Sequence, residues 1–390
     1  MSNRVLITDG HFRKALAAVR SLGEKNIDVT VGETTRIATA LFSKYATKKL
    51  IYPSPTLFPE KFLDAIEREL LSTKYDLLIP MEEETQLLIA KNRKRFSCYT
   101  ALIFPDYYVL KKASDKEEIL KLADTLGIPY PKSFAIKNKK DLEDGAKVIG
   151  FPAVLKPTVG IGAAGVKYVE DFEELLTSFY ENSSRWDRFL LQEMLPHQGE
   201  GYGVSLLFDK NSNPVASFVH KRLREYPITG GPSTLRESVY APKILEMGIT
   251  VLKALNWYGV AMVEFKKDIR DNTLKLIEVN PRFWGSLQLA ILSGVDFPYL
   301  LFLMAKNQLR YHVHKYKAGV RCRWLLPGDI LHFIKNPKRF QLKPSFFSFF
   351  DKTTGYDILS LKDPLPVLAR LITPITFLYD TNMKQLLKRR

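Results

Sequence analysis

Leu276-Ile277-Glu278-Val279-Asn280-Pro281-Arg282 is the stretch on which the reading of this chain turns. Polar and apolar residues alternate, so it reads as a strand with Glu278 and Asn280 on one face. Fourteen residues upstream of Glu278, Met262-Val263-Glu264-Phe265 is a second apolar strand carrying one acid. Two neighbouring strands would set Glu264 and Glu278 side by side, with Asn280 next to them. Mg²⁺ asks for octahedral oxygen ligands and is usually held by a few carboxylates together with substrate phosphate oxygens. The plainer alternative is a pair of solvent-facing acids on an antiparallel hairpin. The apolar flanks and the Glu-x-Asn-Pro-Arg string argue against it.

Three further segments stand upstream. Phe151-Pro152-Ala153-Val154-Leu155-Lys156-Pro157 ends a buried strand in a lysine. Gly160-Ile161-Gly162-Ala163-Ala164-Gly165 then matches G-x-G-x-x-G letter for letter. It is not the dinucleotide fingerprint. Lys156 to Val159 separate strand from glycines, and Val166-Lys167-Tyr168-Val169 reads as a strand, not a helix. Strand, glycine loop, strand makes a hairpin whose tip can offer backbone N–H groups to phosphates or act as a lid. Alone, this loop reads as an ordinary hairpin. Leu190-Leu191-Gln192-Glu193-Met194-Leu195-Pro196 is an apolar strand running into a short polar hinge.

The 390 residues suit two or three packed units. The first hundred alternate strand and helix: strands at Val5–Thr8, Asp28–Val31 and Asp76–Pro80, helices at Lys14–Leu22, Leu57–Leu71 and Glu82–Asn92. That alternation predicts a parallel sheet with helices on both faces. Ser114-Asp115-Lys116-Glu117 predicts a helix start, with Ser114 as N-cap. The spacing then predicts a strand over Phe134–Ile136, a helix over Lys140–Ile149 and a strand over Ala153–Lys156. Leu287 to Ala305 is weakly charged but carries Asp296 and Pro298, so it reads as a buried helix and not a membrane span. Cys98 and Cys322 cannot make a disulfide framework, and no apolar signal-peptide core precedes Val5, so a cytoplasmic setting is expected.

The net charge of +16 is uneven. Leu301 to Arg390 holds seventeen Lys and Arg against five Asp and no Glu. This part is also aromatic and proline-broken, and reads as a mainly helical basic appendage. Its surface suits anionic lipid or an acidic polymer, or is simply solvated; no nucleic acid is expected. Leu365–Arg390 joins Val367, Leu368, Leu371, Ile372, Phe377 and Leu378 to Lys384, Lys388, Arg389 and Arg390. It is either a peripheral membrane dock or, the favoured reading, a helix packed on the catalytic unit or a partner subunit.

In order and spacing the four motifs resemble the ATP-grasp superfamily, in particular its carboxylate–amine ligases and the carbamoyl-phosphate-synthase-like branch. The resemblance covers about Ser114 to Ala305. It implies an ATP-grasp domain over residues 113–305, a Rossmann-like α/β domain over 1–112 before it, and a C-terminal region over 306–390 outside the shared pattern. It implies ATP and Mg²⁺, with Mn²⁺ as a substitute, held by Glu264, Glu278 and Asn280. Lys156 and Lys116 would touch the α- and β-phosphates, and Gly160, Gly162 and Gly165 would cover them. For Lys116 the competing reading is a solvated lysine in a first helical turn. Gln192, Glu193, Met194 and Leu195 would border adenine, and Glu200 the ribose. Arg282 would stabilise the transferring phosphoryl group or the acyl phosphate it creates. Arg222 and Arg236, on either side of the basic loop His220–Arg236, would bind the carboxylate substrate or the γ-phosphate. His220 reads as a satisfied strand histidine. The implied activity is a two-step ligation: a small carboxylate is phosphorylated, and an amine or similar nucleophile attacks the acyl phosphate. A homo-oligomer is compatible with this reading. The competing class is an ATP-binding regulatory or assembly module without turnover.

Overall fold

The computed structural model describes residues 3–160 and 165–379, with backbone alone for 374–379. Gly162 and the basic end Lys384, Lys388, Arg389 and Arg390 therefore lie outside the described residues, as do the side chains of Phe377 and Leu378.

Four parallel strands come first: β1 (Arg4–Ile7), β2 (Asp28–Glu33), β3 (Ala46–Ile51) and β4 (Leu77–Ile79), in the order β3-β2-β1-β4. Burial of both faces is why the central strand β1 and its neighbour β4 are nearly all apolar. Val5, Ile7, Val29 and Val31 join one core, while Leu6 and Leu78 join another. The sequence reading passes over β3, because Thr47-Lys48-Lys49 leaves an edge strand with its charged side chains outward.

A second, antiparallel sheet consists of β5 (Ser133–Ile136), β6 (Ala153–Pro157), β7 (Lys167–Val169) and β8 (Phe189–Glu193), ordered β5-β8-β6-β7. Its core is small and separate, centred on Ile136, Leu155, Leu175 and Leu191. The largest sheet holds β9 (Gly201–Phe208), β10 (Pro214–Glu225), β11 (Ser233–Ser238), β12 (Gly259–Asp268), β13 (Thr273–Asn280), β14 (Arg321–Arg323) and β15 (Thr354–Tyr356). Their order is β13-β12-β9-β10-β11-β14-β15.

Two expectations are corrected. Ser114 is not an N-cap: it closes the helix Tyr107–Ser114, its hydroxyl donating to Leu110 O (3.0 Å). Asp115 caps the helix Lys116–Thr125, its carboxylate accepting from Glu117 N (3.0 Å). Leu287–Ala305 is two helices, Leu287–Leu292 and Phe297–Ala305, split where Gly294 takes φ +104°. Asp296 caps the second and Pro298 sits in its first turn, both start signals. The C-terminal region carries helices at Ile330–Lys335 and Leu365–Tyr379, but it also lends β14 and β15 to the large sheet. Arg323 pairs with Leu235 of β11, and Tyr356 with Arg323. Asp363 meets Arg20 of the first helix at 2.9 Å, both buried. Among the described residues no helix is long and apolar enough to cross a membrane.

Candidate active site

The acid-bearing strands pair as expected. In the β12–β13 register Glu264 stands opposite Glu278 and Met262 opposite Asn280. Asn280 Nδ2 donates to Glu264 Oε1 (3.1 Å) and Glu278 Oε1 (3.3 Å), so the three side chains converge. Two carboxylates and one amide oxygen on one sheet face are a donor set that fits a hard divalent cation. Among the described residues no group of three or more His, Cys, Asp or Glu gathers for a metal ion. Such a cation would therefore complete its shell with nucleotide oxygens.

Cations surround this pair. Arg222 of β10 donates to Glu264 and to Glu225 (3.2 Å). Lys116 Nζ lies 3.7 Å from Glu278 and 3.5 Å from Gly160 O, while its backbone N–H donates to Thr158 O (2.8 Å). Only 8% exposed, Lys116 is not the solvated lysine of the competing reading. The helix it opens is thus pinned to the root of the glycine loop. Burial pushes the Glu264 carboxyl up, and Glu278 nearby adds to this against Arg222. Burial opposes ionisation of Glu278 too, but Lys116, Lys156, Arg222 and Arg282 together hold that carboxyl down. The site is thus a pair of acids of which one is readily ionised, in a ring of positive charge.

Lys156 ends β6 buried, donating to Gln192 Oε1 (2.8 Å); Gln192 in turn donates to Ser133 Oγ (2.7 Å). Burial, with Lys116 adding to it, brings the Lys156 ammonium down to about 8. Gly165 takes φ +73°, and a Cβ there would meet Pro157 and the Trp186 ring at 2.8 Å. At the hinge, Leu195 is buried and Met194 half-buried, but Glu193 is committed elsewhere. Its carboxylate binds Arg270 (2.6 Å) and Lys275 (2.8 Å). Glu200 is exposed, accepts from Tyr202 and lies 3.7 Å from Lys221.

Arg282 is 9% exposed, with its Nε 3.9 Å from Glu83 of the first domain. Arg236 is cross-strand partner to Arg222 yet lies apart from the acids. It is fully buried, and its ionic partner is Asp357. Its expected place at the phosphate or substrate is corrected in this respect: β14, on its other side, brings the C-terminal region down over it. His220 is a buried strand histidine as expected but only half satisfied: its Nε2 lies 3.2 Å from Ser286 Oγ, while its Nδ1 has no hydrogen-bond partner among the described residues.

Several contacts had no signal in the sequence. Lys14 Nζ donates to Phe283 O (3.1 Å), Arg13 Nε to Gly285 O (2.7 Å) and Gln86 Nε2 to Pro281 O (2.9 Å). The segment after Asn280 is thus clamped by the first domain. Tyr168 OH donates to Thr229 O (2.7 Å), tying β7 beside the glycine loop to the loop Tyr226–Pro232. Each joins residues more than sixty positions apart, beyond the reach of any local pattern.

A lysine-tipped β-hairpin sheet facing an acid-bearing antiparallel sheet, with a hinge between, is the ATP-grasp arrangement. The comparisons agree: residues 115–308 match the family model for the carbamoyl-phosphate synthase L chain, ATP binding domain. Residues 115–308 thus form an ATP-grasp domain similar to those of the carboxylate–amine ligases and carbamoyl-phosphate synthases. It is 26% identical over 247 residues to the carbamoyl phosphate synthase large chain of Helicobacter pylori, covering 61% of this chain and 22% of that one. It thus spans about a fifth of that relative's length. Over 281 residues it is 22% identical to the D-aspartate ligase of Enterococcus faecium, covering 67% and 66%. In fold it resembles a biotin carboxylase from Campylobacter jejuni, with a TM-score of 0.68, 19% identity and 82% and 74% coverage.

Proposed function

We propose that this protein is an ATP-dependent ligase that phosphorylates a small carboxylate and passes the acyl group to an amine or similar nucleophile. The observation that carries the reading is the convergence of Glu264, Glu278 and Asn280 inside a ring formed by Lys116, Lys156, Arg222 and Arg282. Phosphoryl transfer is mostly positioning and charge neutralisation, and these groups serve both.

Lys156 and Lys116 receive the α- and β-phosphates, beneath the glycine loop. The hinge from Gln192 to Leu195 offers backbone groups to adenine, and Glu200 stands at the ribose edge. Glu264, Glu278 and Asn280 would hold Mg²⁺, or Mn²⁺ in its place, which would supply neutralisation of the nucleotide's phosphate charge. Arg222, which meets Glu264, stands where its guanidinium can take the carboxylate substrate or the γ-phosphate. Arg282, nearly dry, makes charge-assisted hydrogen bonds to the transferring phosphoryl group. Phosphate then leaves far more readily than hydroxide would. Arg236 supports the site from below, through its place beside Arg222. The similarity to a D-aspartate ligase makes amino-dicarboxylates the first acids to try.

The test is a screen for ADP release against paired acids and amines, with Glu278→Gln as control. Release that needs both an acid and Glu278 is expected. Tight nucleotide binding with no acid-dependent release would instead leave a regulatory or assembly module.

A further inference from the structure

In the parallel sheet the strand order reverses between β1 and β4, and the crevice at such a reversal is where open α/β sheets receive ligands. Glu82 and Glu83 follow the carboxyl end of β4 at that crevice, and Glu83 opens the helix Glu83–Lys91. Glu83 is 8% exposed. A carboxylate so nearly dry is ordinarily held by hydrogen bonds or a close ion pair. Among the described residues the ionic partner of Glu83 is Arg282, whose Nε stands 3.9 Å away, beyond hydrogen-bond reach. That same Nε has no hydrogen-bond partner among the described residues, although the Arg282 side chain is only 10% exposed. Two nearly buried, opposite charges thus face one another across a gap.

The surrounding contacts hold the gap open. Asp9, just past β1, accepts from Met81 N (3.1 Å), Glu82 N (3.0 Å) and Thr85 Oγ1 (2.9 Å), which fixes the turn out of β4. Glu82 meets Lys14 (2.7 Å), and Lys14 donates on to Phe283 O (3.1 Å). Gln86 donates to Pro281 O (2.9 Å). The residues on either side of Arg282 are therefore gripped from the turn and helix that carry Glu83. With both backbones fixed, the fold sets the distance between the two charges. An ion pair that serves stability alone closes to about 2.8 Å.

The first domain thus presents a carboxylate to the arginine assigned to the acyl phosphate. We propose that Glu83 receives the amine nucleophile and is the general base for its attack. This role rests on the ligase reading above. The amine nitrogen donates a hydrogen bond to Glu83 and turns its lone pair to the acyl carbon beside Arg282. The lone pair forms the C–N bond; the C–O bond to phosphate breaks, and the phosphate leaves with that electron pair. The nitrogen becomes acidic as its bond forms, and Glu83 takes its proton, which ends on the departing phosphate as HPO₄²⁻. A carboxylate suits this place because it attracts the positive charge that grows on nitrogen. Glu264 meets Arg222 and Glu278 lies 3.7 Å from Lys116, so neither is as free to take a proton.

Hydroxylamine separates the two half-reactions. It is uncharged near neutral pH and traps an acyl phosphate as a hydroxamate with little need of a base. The full chain is assayed with ATP, Mg²⁺ and a panel of acids, aspartate first, and with hydroxylamine or with ammonium, glycine or alanine as the amine. Glu83→Gln is expected to keep hydroxamate formation within about threefold of wild type and to slow amine-dependent ADP release at least about 10²-fold. Glu83→Asp recovers part of the amine-dependent rate. Equal loss of both reactions shows that Glu83 only braces the fold, and overturns the proposal. An amine-dependent rate within about threefold of wild type overturns it as well. If Glu83→Gln does not fold, Glu83→Asp decides: a slowed amine reaction with hydroxamate kept supports the role, and equal loss overturns it. Hydroxamate from the wild type with no amine-dependent release overturns the role of Glu83 and leaves the acyl-phosphate step standing. No hydroxamate from any acid means that the ligase reading itself fails, and the role of Glu83 with it.

Discussion

Brought down to about 8 by burial and by Lys116, the Lys156 ammonium of the free protein loses its proton as pH rises through that value. Phosphate oxygens favour the charged form, so nucleotide binding draws a proton back onto Lys156 at higher pH. Affinity for a non-hydrolysable ATP analogue is therefore expected to be flat below about pH 8 and to fall above it. Calorimetric titration from neutral to alkaline pH checks this, and Lys156→Arg, which stays charged, should flatten the curve. Arg282 belongs to the same scale. Its removal as Arg282→Met is expected to slow acid-dependent ADP release by about 10²- to 10³-fold with little change in nucleotide affinity. An unchanged rate would remove Arg282 from the transfer step.

At the scale of elements, the glycine loop depends on its roots as well as its tip. Gly165 is left-handed and packed against Pro157 and Trp186, so β7 can leave the loop only if no side chain is present there. Gly165→Ala is expected to cost about 1–2 kcal/mol, read as a lower urea midpoint. The motif read in the sequence as G-x-G-x-x-G thus has at least one glycine set by backbone geometry. The strands fared well in the reading because alternation and burial agree, as in β12 and β13. β3 escaped because an edge strand with Lys48 and Lys49 outward has no apolar pattern to find. The start at Lys116 was legible to within a residue, but Ser114 and Asp115 are both good caps. Only the preceding helix, which uses Ser114, settles which one serves.

For the whole molecule, the C-terminal region is part of the large sheet that carries the candidate site. β14 and β15 extend it, Asp357 neutralises buried Arg236, and Asp363 fastens Arg20. Removing one partner of a buried pair strands the other charge. Asp357→Ala is therefore expected to destabilise the fold by about 3–5 kcal/mol, measured by chemical denaturation. A loss within about 0.5 kcal/mol, as for a surface substitution, would show that Arg236 finds another counter-charge.

The sequence by itself determined the strands that carry the candidate site. Lys156, Gln192, Glu264, Glu278, Asn280 and Arg282 lie in short strings whose alternation sets their faces, and the register of β12 with β13 sets the acids opposite one another. Tertiary structure alone decided what surrounds them. Arg236 read as a loop arginine beside the phosphates, and became a buried ion-pair partner because β14 covers it. Arg13 and Asp357, like His11 and Arg370, stand hundreds of positions apart in sequence, and no local period links them. Their meeting follows from which face of the first domain packs on the large sheet, a choice made by buried area over the whole molecule.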